Sequence, residues 1–276
     1  MNRPEGPVLV GTDLSARSDR AIDRAFQLAQ EWNTRLVVVH AIEAGSPLVD
    51  DTALADRAIR AVLPEPHSTI VDILPSIGPA PSTISAAARS SGSRLVVTGV
   101  ARMNHVGDYF VGTAVDHMVR TADVPVLVVK QRPHQAYRAM LVATDCSDCS
   151  RHALLHAAQM FPHIPMHLVH AFHVPYEGWL KSDETRADIT RTAEAEVNAF
   201  LDDADIPDEI RSRITTHVDY GEVHRVVMAA AGRLGADLVV LGTHGRSGFI
   251  RSVIGSRAEE LLRAVPLDTL MIRAGH

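Results

Sequence analysis

Leu238-Val-Val-Leu-Gly242-Thr-His-Gly245-Arg-Ser-Gly-Phe-Ile-Arg-Ser-Val-Ile-Gly255-Ser256 is the stretch whose reading decides the fold. Its apolar run has the length of a buried strand and ends in a glycine; a second glycine follows three positions later, and a Gly-Ser pair after nine more residues opens a helical segment. Glycines let backbone N–H groups approach an anion without a Cβ in the way, and a helix N-terminus adds a dipole that favours negative charge. The spacing predicts a strand, a phosphate-sized loop and a helix, in that order.

Working outward, the same strand and helix recur earlier in the chain. Arg94–Gly99 aligns with Asp237–Gly242, and Gly112-Thr113 aligns with Gly255-Ser256. Further upstream Asp13 and Ser15 match Asp145 and Ser147, His40 matches His170, and Gly78 matches Gly221. Apolar runs at Pro7–Asp13, Arg35–Ala41, His67–Leu74, Leu95–Gly99 and Val124–Lys130 alternate with helical patterns, and the second half repeats the order. In the second copy Ile189, Ala193, Val197, Phe200, Leu201 and Ala204 form one amphipathic stripe. Strands that are apolar nearly throughout belong to a parallel sheet covered on both faces. The expected fold class is therefore α/β, with two tandem open-sheet domains, each a five-stranded parallel sheet with helices on both faces. The expected boundaries are 1–130 for the first domain, 131–139 for a linker and 140–276 for the second.

Composition excludes several classes. The 276 residues are 46% apolar and 22% charged with net charge −6, and the arginines are scattered, which argues against a nucleic-acid partner. No apolar run reaches the length of a membrane span, no signal-peptide core follows Met1, and two cysteines are too few for a disulfide framework, so a cytoplasmic, membrane-free protein is expected.

The pattern Gly-x2-Gly-x9-Gly-(Ser/Thr), met by Gly242, Gly245, Gly255 and Ser256, together with an aspartate ending the first strand of each repeat, resembles the universal stress protein family in its tandem two-domain form. That resemblance implies a Rossmann-like fold related to adenine nucleotide α-hydrolases, with ATP, ADP or AMP as bound ligand and Mg2+ accompanying it. It implies that Thr144 and Asp145 border the adenine, that Ala171 flanks base or ribose, and that Gly242, Gly245, Gly255 and Ser256 wrap ribose and phosphates. His244 and Arg246 stand in the loop, Arg246 as a charge partner for phosphate. The first copy departs from the motif: Asp13, Gly99, Gly112 and Thr113 are kept, but Arg102 replaces the second glycine, so a degenerate site is expected there. The alternative at every one of these glycines is a purely structural one, in the turn and in close helix–sheet packing.

Cys146, Cys149, His152 and His156 follow the second aspartate at spacings compatible with a redox pair or a zinc site, although their first-repeat counterparts, Leu14, Arg17, Arg20 and Arg24, make chance surface placement the simpler reading. No nucleophile–base–acid constellation and no Walker-type lysine is present, so no catalytic residue is assigned; slow ATP hydrolysis in the family's manner is compatible with the sequence. The expected function is a nucleotide-binding regulatory protein of the stress response. Its alternatives are a non-nucleotide interaction module and an adenylate-handling enzyme. Val124–Lys130 and Thr269–Arg273 would each be an edge strand, and the resemblance implies that they meet within one chain and that two chains form a homodimer.

Overall fold

The computed structural model describes residues 5–100, 102–105, 108–110, 112–173, 183–243 and 254–273. Contacts divide the chain into two compact units, one running through Ala136 and including Pro266–Arg273, the other Tyr137–Val265.

The first unit contains β1 (Val8–Thr12), α1 (Asp19–Glu31), β2 (Leu36–Ile42), α2 (Thr52–Ala61), β3 (Val71–Ile77), α3 (Ala80–Ser90), β4 (Leu95–Gly99), β5 (Arg102–His105), β6 (Asp108–Phe110), α4 (Thr113–Thr121) and β7 (Val126–Val129). Its sheet runs β3-β2-β1-β4-β7, all parallel. Val8, Leu9 and Val10 of β1 and Leu95, Val96 and Val97 of β4 are wholly buried, as strands covered on both faces must be.

The other unit contains β8 (Met140–Thr144), α5 (Asp148–Met160), β9 (Met166–Phe172), α6 (Asp183–Leu201), α7 (Asp208–Arg211), β10 (Ile214–Tyr220), α8 (Val223–Leu234), β11 (Leu238–Gly242) and α9 (Ser256–Ala264). Its parallel order β10-β9-β8-β11 reproduces that of β3-β2-β1-β4. The final strand of the chain, β12 (Asp268–Ile272), packs in the first unit, antiparallel to β7, with Leu270 opposite Leu127 and Met271 opposite Val126. The two outer strands thus meet as expected.

A buried polar cluster fixes this junction inside the first unit. Asp268, 1% exposed, accepts from the backbone N–H groups of Lys130 (2.8 Å) and Gln131 (3.0 Å) and lies 3.5 Å from Arg24 Nε. Lys130, also 1% exposed, donates from Nζ to Thr269 Oγ1 at 3.0 Å. Burial drives the Lys130 pKa down to about 7, against the charge of Asp268, which pulls it up.

Local differences from the sequence reading have identifiable causes. The run His67–Leu74 predicts a strand, but β3 begins at Val71 and continues to Ile77 through Pro75. Proline is tolerated there because, among the described residues, β3 pairs only with β2 and ends the sheet. The stripe on α6 buries Ala193, Val197, Phe200 and Leu201, whereas Ala204 falls beyond the helix end. The segment carrying Arg102 is an antiparallel ribbon, with Arg102 opposite Phe110, where the sequence predicts a degenerate loop.

Candidate functional site

The site of the Tyr137–Val265 unit starts from the turn after β8. Cys146 takes a left-handed backbone, φ 58°, and its N–H donates to Thr144 Oγ1 at 2.9 Å. Ser150 Oγ donates to the Ser147 carbonyl at 2.8 Å and so spends its only hydrogen, which makes Thr144 the donor in the 2.8 Å contact between the two hydroxyls. His170 Nδ1 lies 2.9 Å from the Thr144 carbonyl and must carry a proton there. Ser147 caps α5 by accepting from Ser150 N–H, and Asp145 Oδ1 accepts from Ser147 N–H at 3.1 Å.

The first unit repeats most of the device. Leu14 has φ 60°, its N–H reaches Thr12 Oγ1 (3.0 Å), Thr12 meets Ser18 (2.9 Å), and His40 Nδ1 meets the Thr12 carbonyl (2.9 Å). A left-handed non-glycine residue costs on the order of 1–3 kcal/mol. Its recurrence at Leu14 and Cys146 assigns that strain to the turn itself. One detail differs: Ser18 occupies the cap position of α1 but makes no capping bond. Asp13 accepts from Ser15 N–H (2.9 Å), as Asp145 does from Ser147, and also from Ser15 Oγ (2.7 Å). Burial alone would raise its pKa, but the hydrogen bonds from Ser15 and Ser18 prevail and hold the carboxyl below its ordinary value.

At the carboxyl ends of β8, β9 and β11 lies a cavity of about 310 Å³. Thr144, Asp145, Ala171, Gly242, Gly255 and Ser256, singled out from sequence, all line it; His244, Gly245 and Arg246 lie outside the described residues. Val169, Val227 and Leu241 supply apolar wall, and the first turn of α9 supplies the opposite rim. Gly255 precedes that helix without a side-chain cap, so first-turn N–H groups border the cavity with no partner inside the helix.

Gly242 has the close helix–sheet packing given as its alternative, and the backbone at Gly255 does not demand a glycine. A Cβ on Gly242 would stand 3.0 Å from Cys149 Sγ and 3.1 Å from the Cys149 carbonyl, so this glycine admits α5 to the sheet. Gly255 has φ −60° and ψ 140°, open to any residue, whereas its counterpart Gly112 has φ 81° and requires glycine.

Arg257 also lines the cavity, a residue the motif does not include. Its Nη1 is 3.1 Å from Glu260 and 3.8 Å from Glu222, and its side chain is 64% exposed, leaving a cation at the cavity mouth beside the α9 N-terminus. The first repeat has Ala114 in that place. Its own cavity, about 260 Å³, keeps Thr12, Asp13, Ala41, Gly99 and Gly112, and takes its cation from Arg17 of the opposite segment. Thr113 opens α4, and Arg102 opens β5; their side chains lie outside the described residues. The floors compensate one another. Ile84 Cδ1 would stand 2.7 Å from a Cβ on Gly11, while the other unit combines Ala143 with the smaller Val227.

The cysteines and histidines after Asp145 diverge. Cys149 is buried against Gly242, Cys146 Sγ is 4.0 Å from His170 Nδ1, and neither is in a disulfide. His152 and His156 lie on α5 with ring centroids 4.3 Å apart, and burial lowers both pKa values, with His152 adding to the effect on His156. Among the described residues no group of three or more His, Cys, Asp or Glu could hold a metal ion, and no helix is long and apolar enough to cross a membrane.

Comparison with known proteins places this geometry. The model of the universal stress protein family matches residues 6–130 and 136–273. A universal stress protein of Mycolicibacterium smegmatis is 25% identical over an alignment of 297 residues covering 96% of each chain. Universal stress protein E of Salmonella typhi is 26% identical over 204 residues, 66% of this chain and 62% of that protein. The crystal structure of a universal stress protein from Archaeoglobus fulgidus superimposes with a TM-score of 0.65 at 15% identity, covering 99% of this chain and 100% of that one.

Proposed function

This chain belongs to the universal stress protein family, and from that premise we propose that it binds ATP or a related adenine nucleotide in the Tyr137–Val265 unit and acts as a regulatory protein of the stress response. The observation that carries the reading is the convergence of Asp145, Ala171, Gly242 and the α9 N-terminus on one cavity of about 310 Å³. That volume is at the lower end of small-molecule pockets, and its position outside the carboxyl ends of parallel strands is where open α/β sheets hold ligands. The base lies against Val169, Ala171, Val227 and Leu241, with Asp145 at its edge. The phosphates lie at the first turn of α9, where N–H groups without a partner inside the helix and Arg257 favour negative charge.

Occupancy acts through conformation or partner choice rather than turnover, in a cytoplasmic homodimer. Calorimetry of the purified chain with ATP, ADP and AMP tests this reading. One saturable site, with affinity falling as phosphates are removed, is the expected result; absence of heat with all three would instead favour an interaction module without a nucleotide. Sustained release of phosphate at enzymatic rates would overturn the non-catalytic part.

A further inference from the structure

In the Tyr137–Val265 unit, away from the cavity, the edge pair β9–β10 brings two imidazoles together. His167 Nδ1 and His217 Nε2 are 3.3 Å apart, with ring centroids at 5.4 Å and planes tilted by 53°. The strands are parallel, with Thr215 opposite His167 and Val169 opposite His217, so the histidines form a diagonal cross-strand pair. The first unit has the same register, with Asp72 opposite Val37 and Leu74 opposite Val39, and there the equivalent diagonal pair is Val37 and Leu74. Two aliphatic side chains therefore suffice to build this corner of the fold. The second repeat has replaced both by metal-ligating groups.

The separation suits a shared cation as well as a hydrogen bond. Two nitrogens bound to one tetrahedral cation at about 2.0–2.1 Å stand about 3.3–3.4 Å from each other. We infer that His167 Nδ1 and His217 Nε2 bind one late first-row divalent cation of the zinc or copper type, with water completing the coordination. Imidazole suits such cations, and both side chains are half-buried, so solvent reaches them. Burial lowers the pKa of both rings, and for His217 the charges of His167 and then Arg233 add to this while Asp219 opposes it. In the metal-free pair one ring donates N–H to the other. On metal binding that hydrogen moves to the same ring's outer nitrogen, leaving two lone pairs for the cation and no net proton release. Asp219 is on the same face of β10 two residues later, but its Oδ2 is 3.2 Å from Arg233 Nη2, so the protein supplies two ligands and not three.

The test uses the untagged, chelator-treated full chain, titrated with ZnCl2 by calorimetry at pH 7.5. Wild type is expected to take up one equivalent. His167→Val/His217→Leu, which installs the first unit's own pair, should lose it or weaken it at least tenfold with an unchanged circular dichroism spectrum, while His152→Gln/His156→Gln on α5 should retain it. Persistence of that equivalent in His167→Val/His217→Leu, or no uptake by wild type at millimolar zinc, overturns the inference. If the double variant does not fold, His167→Gln and His217→Gln are titrated singly, and unchanged affinity in both is equally contrary. Cu2+ bound to wild type should show two coupled nitrogens in its paramagnetic resonance spectrum; a signal with none contradicts the site.

Discussion

Lys130→Met isolates the effect of the charge buried between β7 and β12. The lysine is 1% exposed, and its burial lowers the pKa from 10.5 in the unfolded chain to about 7 in the folded one. Between those two values the unfolded state binds the proton and the folded state does not, so stability rises with pH across the window from about 7 to about 10. At about 1.4 kcal/mol for each pH unit separating the two values, the full rise is on the order of 5 kcal/mol. Methionine keeps the length of the side chain and removes the titration, while Asp268 keeps Arg24 and the main-chain N–H groups of residue 130 and Gln131. Denaturant unfolding at several pH values between 7 and 9.5, followed through Trp32 in a Trp179→Phe background, reports the first unit. Wild type should gain stability over that range relative to Lys130→Met, by about 1 kcal/mol per pH unit in mid-window. Parallel pH curves for the two proteins would refute the buried neutral lysine.

Three further outcomes rest on single contacts. Gly242→Ala should destabilise the Tyr137–Val265 unit by roughly 1–3 kcal/mol in denaturant unfolding, because its Cβ would meet the Cys149 carbonyl at 3.1 Å, and backbone cannot swing aside as a side chain can. Ser147→Ala removes the α5 cap and should cost about 1 kcal/mol, read as a lower unfolding midpoint; no change would mean that the 3.3 Å contact to Ser150 N–H contributes nothing. Arg257→Ala should weaken ATP several-fold in calorimetry and leave adenosine nearly unaffected, since an exposed charge–phosphate contact is worth about 1 kcal/mol. Equal losses for both ligands would move Arg257 away from the phosphates.

Much of the fold is legible in the sequence because duplication supplies an internal control. Asp13 and Asp145 end corresponding strands, and the turn after each repeats the same hydrogen bonds down to the left-handed residue. Leu14 and Cys146 carry that conformation without a glycine to announce it, so no sequence signal marks it. Arg257 is silent for a different reason: it follows the Gly-Ser pair, and only the helical first turn of α9 brings it to the cavity. Gly242 is recognisable by position, but its cause, the close approach of Cys149, depends on a helix distant in sequence. Likewise the placement of β12 against β7 can be expected from two unpaired edges, yet the burial of Lys130 with Asp268 and Thr269 emerges only from packing.

Paired substitution of equivalent alanines tests the nucleotide assignment most directly. Ala171 lines the cavity of the Tyr137–Val265 unit, and Ala41 lines that of the first unit. Titrated with ATP, wild type and Ala41→Trp should each bind one equivalent per chain, and Ala171→Trp should bind none while retaining its circular dichroism spectrum. Retention of ATP by folded Ala171→Trp, with loss in folded Ala41→Trp, would contradict the assignment.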